Sequence, residues 1–186
     1  MILTVGNIKD GVGKTVLAVN IAAMLAQRGR DVLLIDGDEQ ASAAMFAEVR
    51  AEAGAKAAFT TIQLQGAAIR QQARQLRGKY GEIVIDVGGR DTGSLCAALT
   101  VADAVLIPFQ PRSVDLWAGA QIAALVEEAR EVNEGLKAYA LIAMEPVRAR
   151  ALSAAGSYGL CQRNRPALSR GREKQLPLLR PALLEN

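Results

Sequence analysis

Histidine is absent from this 186-residue chain, and aromatic residues make up only 4% of it. Without histidine neither a Ser-His-Asp nor a Cys-His nucleophile system can be assembled, and the His-ligated zinc sites are excluded. Catalysis must then rest on Lys, Arg, Asp, Glu, Ser, Thr or a bound metal. Cysteine is nearly as scarce. Cys96 and Cys161 fit no CxxC or zinc-type spacing, as expected of two reduced thiols in a cytosolic protein. No apolar run approaches the ~18 residues of a membrane span. The start, Met1 to Gly6, also lacks the basic region of a secretory signal. The expectation is a cytoplasmic protein without a membrane partner.

What the chain does contain is aliphatic. Hydrophobic residues are 51% of the total and 34 positions are alanine, which calls for a core of small and aliphatic side chains under closely packed helices. The length suits one domain. Charge is unevenly spread within it. Residues 1–146 hold 14 basic and 17 acidic side chains, whereas residues 147–186 hold 8 basic and 2 acidic, so the net charge of +3 comes from the tail.

Short apolar runs alternate with longer helical patterns. Ile2 to Val5 reads as a strand, Val16 to Arg28 as a helix stopped by Gly29, and Val32 to Ile35 as a second strand. Ala41 to Ala53 reads as a helix, Phe59 to Leu64 as a strand, Ala67 to Leu76 as a helix, and Ile83 to Ile85 as a strand ending at Asp86. Ala104 to Phe109, Asp115 to Asn133 and Ala138 to Met144 continue as strand, helix and strand. Uniformly apolar strands between amphipathic helices imply a doubly wound α/β domain, with a mostly parallel sheet and helices on both faces. Ligands of such sheets bind beyond the C-terminal strand ends, here residues 6–15, 36–40, 86–91 and 108–113.

Three motifs fall at those ends. Between the first strand and helix lies Gly6-Asn7-Ile8-Lys9-Asp10-Gly11-Val12-Gly13-Lys14-Thr15. A phosphate-binding loop needs glycines that turn backbone N–H groups toward an anion, a lysine for the β/γ-phosphates, a hydroxyl for Mg²⁺, and a helix N-terminus. Gly11, Gly13, Lys14, Thr15 and the helix from Val16 supply all four, although Ile8 stands where the strict pattern has its first glycine. After the second strand, Asp36-Gly37-Asp38-Glu39-Gln40 puts two carboxylates on the loop side, suited to ordering a magnesium shell and an attacking water. Third, Ile83-Val84-Ile85-Asp86-Val87-Gly88-Gly89 is an apolar strand ending in a Walker B aspartate, with Gly89 spaced to approach a γ-phosphate.

With Lys9 ahead of Gly11-x-Gly13-Lys14-Thr15, the loop resembles the deviant Walker A box of the ParA/MinD ATPases. The segments at 36–40, at Asp86 and at 102–111 are similar to that family in order and near the expected spacing, most of all to the short ParF-like plasmid partition proteins. The resemblance covers residues 1–146 and implies a P-loop NTPase that binds ATP and Mg²⁺. Residues 10–16 (Asp10, Gly11, Val12, Gly13, Lys14, Thr15 and Val16) would form its loop. Pro108, Gln110 and Pro111 would line the nucleotide and dimer region. Lys14 would bind the phosphates in cis, and Lys9 those of the partner subunit's nucleotide in an ATP-dependent homodimer. Asp38 would orient the hydrolytic water. Thr15, Asp36 and Asp86 would hold or support Mg²⁺. The implied function is a weak ATPase switch for plasmid or chromosome partition. It would be nucleoid-associated, bind DNA non-specifically and work with a centromere-binding partner protein.

The chain departs from the family pattern in three places. Asp10 replaces the first glycine of the box; like charges ~5 Å apart at an effective dielectric near 20 repel by roughly 3 kcal/mol, so either the carboxylate points away from the phosphates or ATP binding or hydrolysis is impaired. Glu39 stands where the family usually has proline. The last forty residues do not resemble the family's C-terminal helices, which points to a truncation or reading-frame change near residues 147–156. Arg148, Arg150, Arg163 and Arg165 are the candidate DNA contacts, against the alternative of a solvated, poorly folded end. Two other readings are a MinD-like membrane switch, whose terminal amphipathic helix Pro177 and Pro181 would break, and an ATP-dependent enzyme of the same superfamily.

Overall fold

The computed structural model describes residues 1–38, 40–52, 54, 59–110 and 116–142. Among these residues six strands form one sheet: β1 (Ile2–Gly6), β2 (Val32–Asp36), β3 (Thr60–Gln63), β4 (Glu82–Val87), β5 (Ala104–Phe109) and β6 (Lys137–Ile142). Five helices connect them: α1 (Lys14–Gln27), α2 (Ser42–Glu52), α3 (Ala67–Leu76), α4 (Thr92–Leu99) and α5 (Leu116–Arg130). The order is β3-β2-β4-β1-β5-β6, and every pairing is parallel.

The alternation of strand side chains builds two cores. Ile2, Leu33, Ile35, Ile83, Ile85 and Val87 pack with Ile69 and Ala73 of α3, Leu95 and Leu99 of α4, and Ile122 and Val126 of α5. Leu3, Val5, Leu34, Val84 and Leu106 point the other way, onto Ala18, Val19, Ala22 and Leu25 of α1 and Ala43 of α2. Fully burying each large aliphatic side chain stabilises the fold by roughly 2 kcal/mol. Burial on both faces is why the central strands read as continuous apolar runs. Ala18 and Ala22 of α1 are fully buried against the sheet. Beyond β5, the outermost of the described strands, β6, mixes exposed and half-buried positions instead.

The helix α4 escaped the sequence reading. Its signal was present: Asp91 caps it, accepting from the Ser94 N–H at 3.0 Å and from the Ser94 hydroxyl, and Leu95, Ala98 and Leu99 recur on one face. The expected helix over 115–133 ends earlier, at Arg130. Asn133 lies in the turn beyond, where its amide donates to the Leu99 and Ala102 carbonyls. Residues 143 and 144 of the last expected strand, and the whole segment 147–186, lie outside the described residues. Among the described residues, no helix is long and apolar enough to cross a membrane.

Candidate functional site

The strand order decides what meets at the C-terminal edge. Inserting β4 between β2 and β1 puts Asp36 directly opposite Asp86, and Asp86 opposite Val5, one residue short of the β1 end. The loop after β1 then turns into α1. Gly11 at φ +71° and Gly13 at φ +86° take left-handed conformations that a side chain would strain. Gly13 is the N-cap of α1 and offers no side-chain cap, and no acidic residue occupies the first turn. The N–H groups of that turn are oriented as an anion site requires.

A cleft of about 490 Å³ opens beside this loop. Asp10, Gly11, Gly13, Lys14, Thr15 and Val16 line one wall, and Gly37, Asp38 and residues 88–91 the other. Lys14 is 7% exposed, and its Nζ donates to the Lys9 carbonyl at 2.7 Å and lies 3.6 Å from Asp10 Oδ1. The opposite wall is acidic. Asp36 is buried and both of its oxygens are engaged, accepting from the Asp38 N–H at 3.1 Å and the Ala44 N–H at 2.9 Å. Asp36 therefore pins the loop after β2 to the start of α2. Asp38, half-buried, accepts from the Gln40 N–H at 3.0 Å.

Asp86 is different. It is 1% exposed, and neither carboxylate oxygen has a partner in full hydrogen-bond geometry, although the Thr15 hydroxyl stands close enough to act on it. Burial pushes its carboxyl up to about 7; the Thr15 hydroxyl beside it opposes the shift, Asp36 and Asp38 reinforce it, and Lys14 opposes it. An orphaned buried carboxylate next to a threonine hydroxyl fits a divalent cation that takes its remaining ligands from phosphate and water. Among the described residues, no three Asp, Glu, Cys or His side chains converge as a protein-only metal cage, and a magnesium bound through a nucleotide needs none.

The remaining expected site residues fall outside the cleft wall. Val12 is buried in the apolar interior, so only its backbone belongs to the loop. Lys9 presents its backbone to the loop: its carbonyl holds Lys14, and its N–H donates to Asn7 Oδ1 at 3.1 Å. Pro108 and Gln110 brace the loop from behind rather than line the cleft. The Pro108 carbonyl accepts from the Asn7 amide at 2.8 Å, and the Gln110 amide donates to the Gly11 carbonyl at 2.7 Å. Pro111, Glu39 and the four candidate arginines, Arg148, Arg150, Arg163 and Arg165, lie outside the described residues.

Sequence reasoning missed Arg90. It lies at the cleft rim and donates from Nε to Asp10 Oδ2 at 3.1 Å. Its position directly after the Gly88-Gly89 pair was the only available signal. Gly89 is a steric requirement: a methyl group there would lie 2.5 Å from Asp10 Oδ1 and 2.9 Å from the Ile8 carbonyl.

A parallel sheet with a glycine loop, a buried lysine and a strand-end aspartate defines a P-loop nucleotide-binding fold. The model of the CobQ/CobB/MinD/ParA nucleotide-binding domain matches residues 3–149, and the chain belongs to that family. The maintenance of carboxysome distribution protein A of Halothiobacillus neapolitanus is 33% identical over 137 residues, covering 73% of this chain and 62% of that protein. The chromosome-partitioning ATPase Soj of Thermus thermophilus is 30% identical over 156 residues, covering 69% of this chain and 62% of its own length. This chain thus spans less than two thirds of either relative. Among solved structures, cobyrinic acid a,c-diamide synthase from Mycobacterium smegmatis with bound ADP and magnesium superposes with a TM-score of 0.64 at 24% identity, covering 76% of this chain and 73% of that one. A plasmid partition protein from Borrelia burgdorferi gives 0.61 at 24% identity, covering 76% and 78%.

Proposed function

We propose that this chain is the nucleotide-binding core of an ATP-driven switch of the partition type. The observation that carries the reading is the buried Lys14 ammonium at a glycine loop, facing Asp38 across one cleft, with the orphaned Asp86 carboxylate buried within reach of the Lys14 charge and the Thr15 hydroxyl. In this reading Lys14 and the first N–H groups of α1 hold the nucleotide phosphates. The Thr15 hydroxyl and the Asp86 carboxylate hold Mg²⁺, and Asp36 keeps the acidic loop in place behind them. The ion, when bound, neutralises charge on the phosphate oxygens. Asp38, fixed by the Gln40 N–H, orients a water toward the terminal phosphorus; attack breaks the bond to the leaving ADP and releases phosphate. Lys9 serves the nucleotide of a second copy in a face-to-face homodimer.

One relative is named for carboxysome distribution and another for chromosome partitioning, which supports a positioning role for this chain. The cargo is recognised through a separate partner protein, the centromere-binding kind in the case of plasmid or chromosome DNA. The dimer binds DNA non-specifically in the nucleoid through basic side chains, for which Arg148, Arg150, Arg163 and Arg165 are the candidates.

Sedimentation of the full chain with saturating Mg-ATP, with Mg-ADP and without nucleotide tests the reading. A dimer that forms with ATP alone and then retains duplex DNA is expected. Asp38→Ala should slow phosphate release on the order of 10²-fold while leaving that dimer intact. A chain that stays monomeric and leaves DNA free at every nucleotide concentration overturns the switch.

A further inference from the structure

Asp10 places a negative charge where a phosphate loop gathers positive ones, and the geometry shows where that charge goes. The backbone at residue 10 needs no glycine, because Ala41 is the only non-glycine residue at positive φ among those described. The side chain turns inward over the loop. Oδ1 lies 3.6 Å from the Lys14 ammonium, and Oδ2 accepts from Arg90 Nε at 3.1 Å. The Gly89 backbone packs directly against Oδ1, close enough that a single added carbon would collide with it. Lys14 is the residue that a phosphate loop extends to the β- and γ-phosphates. Gly89, at the D-x-x-G spacing, is the residue whose backbone approaches the γ-phosphate. The Asp10 carboxylate is wedged between the two.

We infer that the Asp10 carboxylate occupies the terminal-phosphate place of the loop, so that this chain holds a nucleoside diphosphate in preference to a triphosphate. The inference rests on the phosphate-loop reading above and names the nucleotide state that the site favours. A diphosphate ends one phosphate short of the wedge and still uses the α1 N–H groups. A triphosphate must push the carboxylate aside. Giving up the Arg90 pair costs little, since Asp10 is 54% exposed and Arg90 88% exposed, and an incoming phosphate replaces the carboxylate beside Lys14. The displaced carboxylate stays tethered beside the loop, however, and repels the added charge. Before displacement the carboxylate is firmly charged: partial desolvation, which would raise its carboxyl, is outweighed by the Arg90 hydrogen bond and by Lys14, which hold it below the usual carboxylate range. Asp38 lines the same cleft and adds to the repulsion rather than relieving it.

The test is calorimetric titration of the full chain, Asp10→Asn and Asp10→Gly with Mg-ADP and with a non-hydrolysable Mg-ATP analogue. Asp10→Asn keeps the shape and removes the charge. The unmodified chain should bind ADP at least about tenfold more tightly than the analogue, and both substitutions should erase most of that ratio by improving analogue binding. A ratio near one in the unmodified chain, or a ratio unchanged by both substitutions, overturns the inference and leaves the phosphate-loop reading standing. Failure of all three proteins to bind either nucleotide, with circular dichroism showing them folded, overturns the phosphate-loop reading and the inference with it.

Discussion

The two walls of the cleft hold their functional groups by opposite means. On the α1 side, geometry resides in the backbone: two left-handed glycines shape the loop, and one buried ammonium is fixed by a loop carbonyl. On the β2–β4 side it resides in the sheet, where strand register alone sets Asp36 opposite Asp86. The first wall satisfies itself internally, as its carbonyls accept from Lys14 and Gln110. The second does not, because Asp36 has partners for both oxygens and Asp86 for neither. The difference teaches what each wall awaits: an anion against exposed N–H groups, and a cation against an orphaned carboxylate. Asp10 is chemically a member of the second wall placed on the first.

Breaking the first wall should have the largest effect. Lys14→Ala removes the ammonium without touching the glycine geometry. Nucleotide affinity by calorimetry should fall at least about 100-fold, close to 3 kcal/mol, the scale of lost charge-assisted hydrogen bonds to phosphate. Unchanged affinity would mean that the backbone alone does the binding and that the walls are not the separate devices described.

The second wall is broken by Asp86→Asn, with a smaller effect of two signs. In the metal-free protein, replacing an unpartnered buried carboxylate with a neutral amide relieves desolvation and should stabilise the fold by about 1 kcal/mol, read as a higher urea midpoint. With magnesium present, the same substitution should abolish the increase in nucleotide affinity that the ion confers on the unmodified protein. A lower midpoint without metal would show that Asp86 is structurally satisfied and that the asymmetry between the walls is false.

The first wall was more legible in the sequence than the second. Lys14, Thr15 and the two glycines announce their chemistry at fixed spacing, since each performs a local task set by its nearest neighbours. The carboxylates were found, but not the division between them. Whether Asp36 or Asp86 is satisfied depends on the Ala44 N–H eight residues onward, and on strand order, neither of which periodicity encodes. Arg90 was illegible for the same reason: its partner, Asp10, lies 80 residues away across the sheet edge. The fold itself was legible because strands buried on both faces write their burial into continuous apolar runs. The short helix α4 was not, since eight residues give little room for a period to show.

Asp91 at the cleft rim gives the comparison a control, because it is a carboxylate satisfied by its own loop. It caps α4, and the Ser94 hydroxyl and then the Ser94 N–H hold its carboxyl below the usual range. Asp91→Ala should cost about 1 kcal/mol, the ordinary worth of an N-cap. The pH dependence has a definite sign. A carboxyl whose folded pKa is depressed contributes its full stabilisation above the unfolded value, roughly 3.9, and loses it as pH falls through the lower folded value. The difference in urea midpoint between the protein and Asp91→Ala should therefore stay constant from neutral pH down to about 5 and shrink only in stronger acid. A difference that instead grows on acidification would place Asp91 with Asp86, among the carboxylates that the fold leaves unsatisfied.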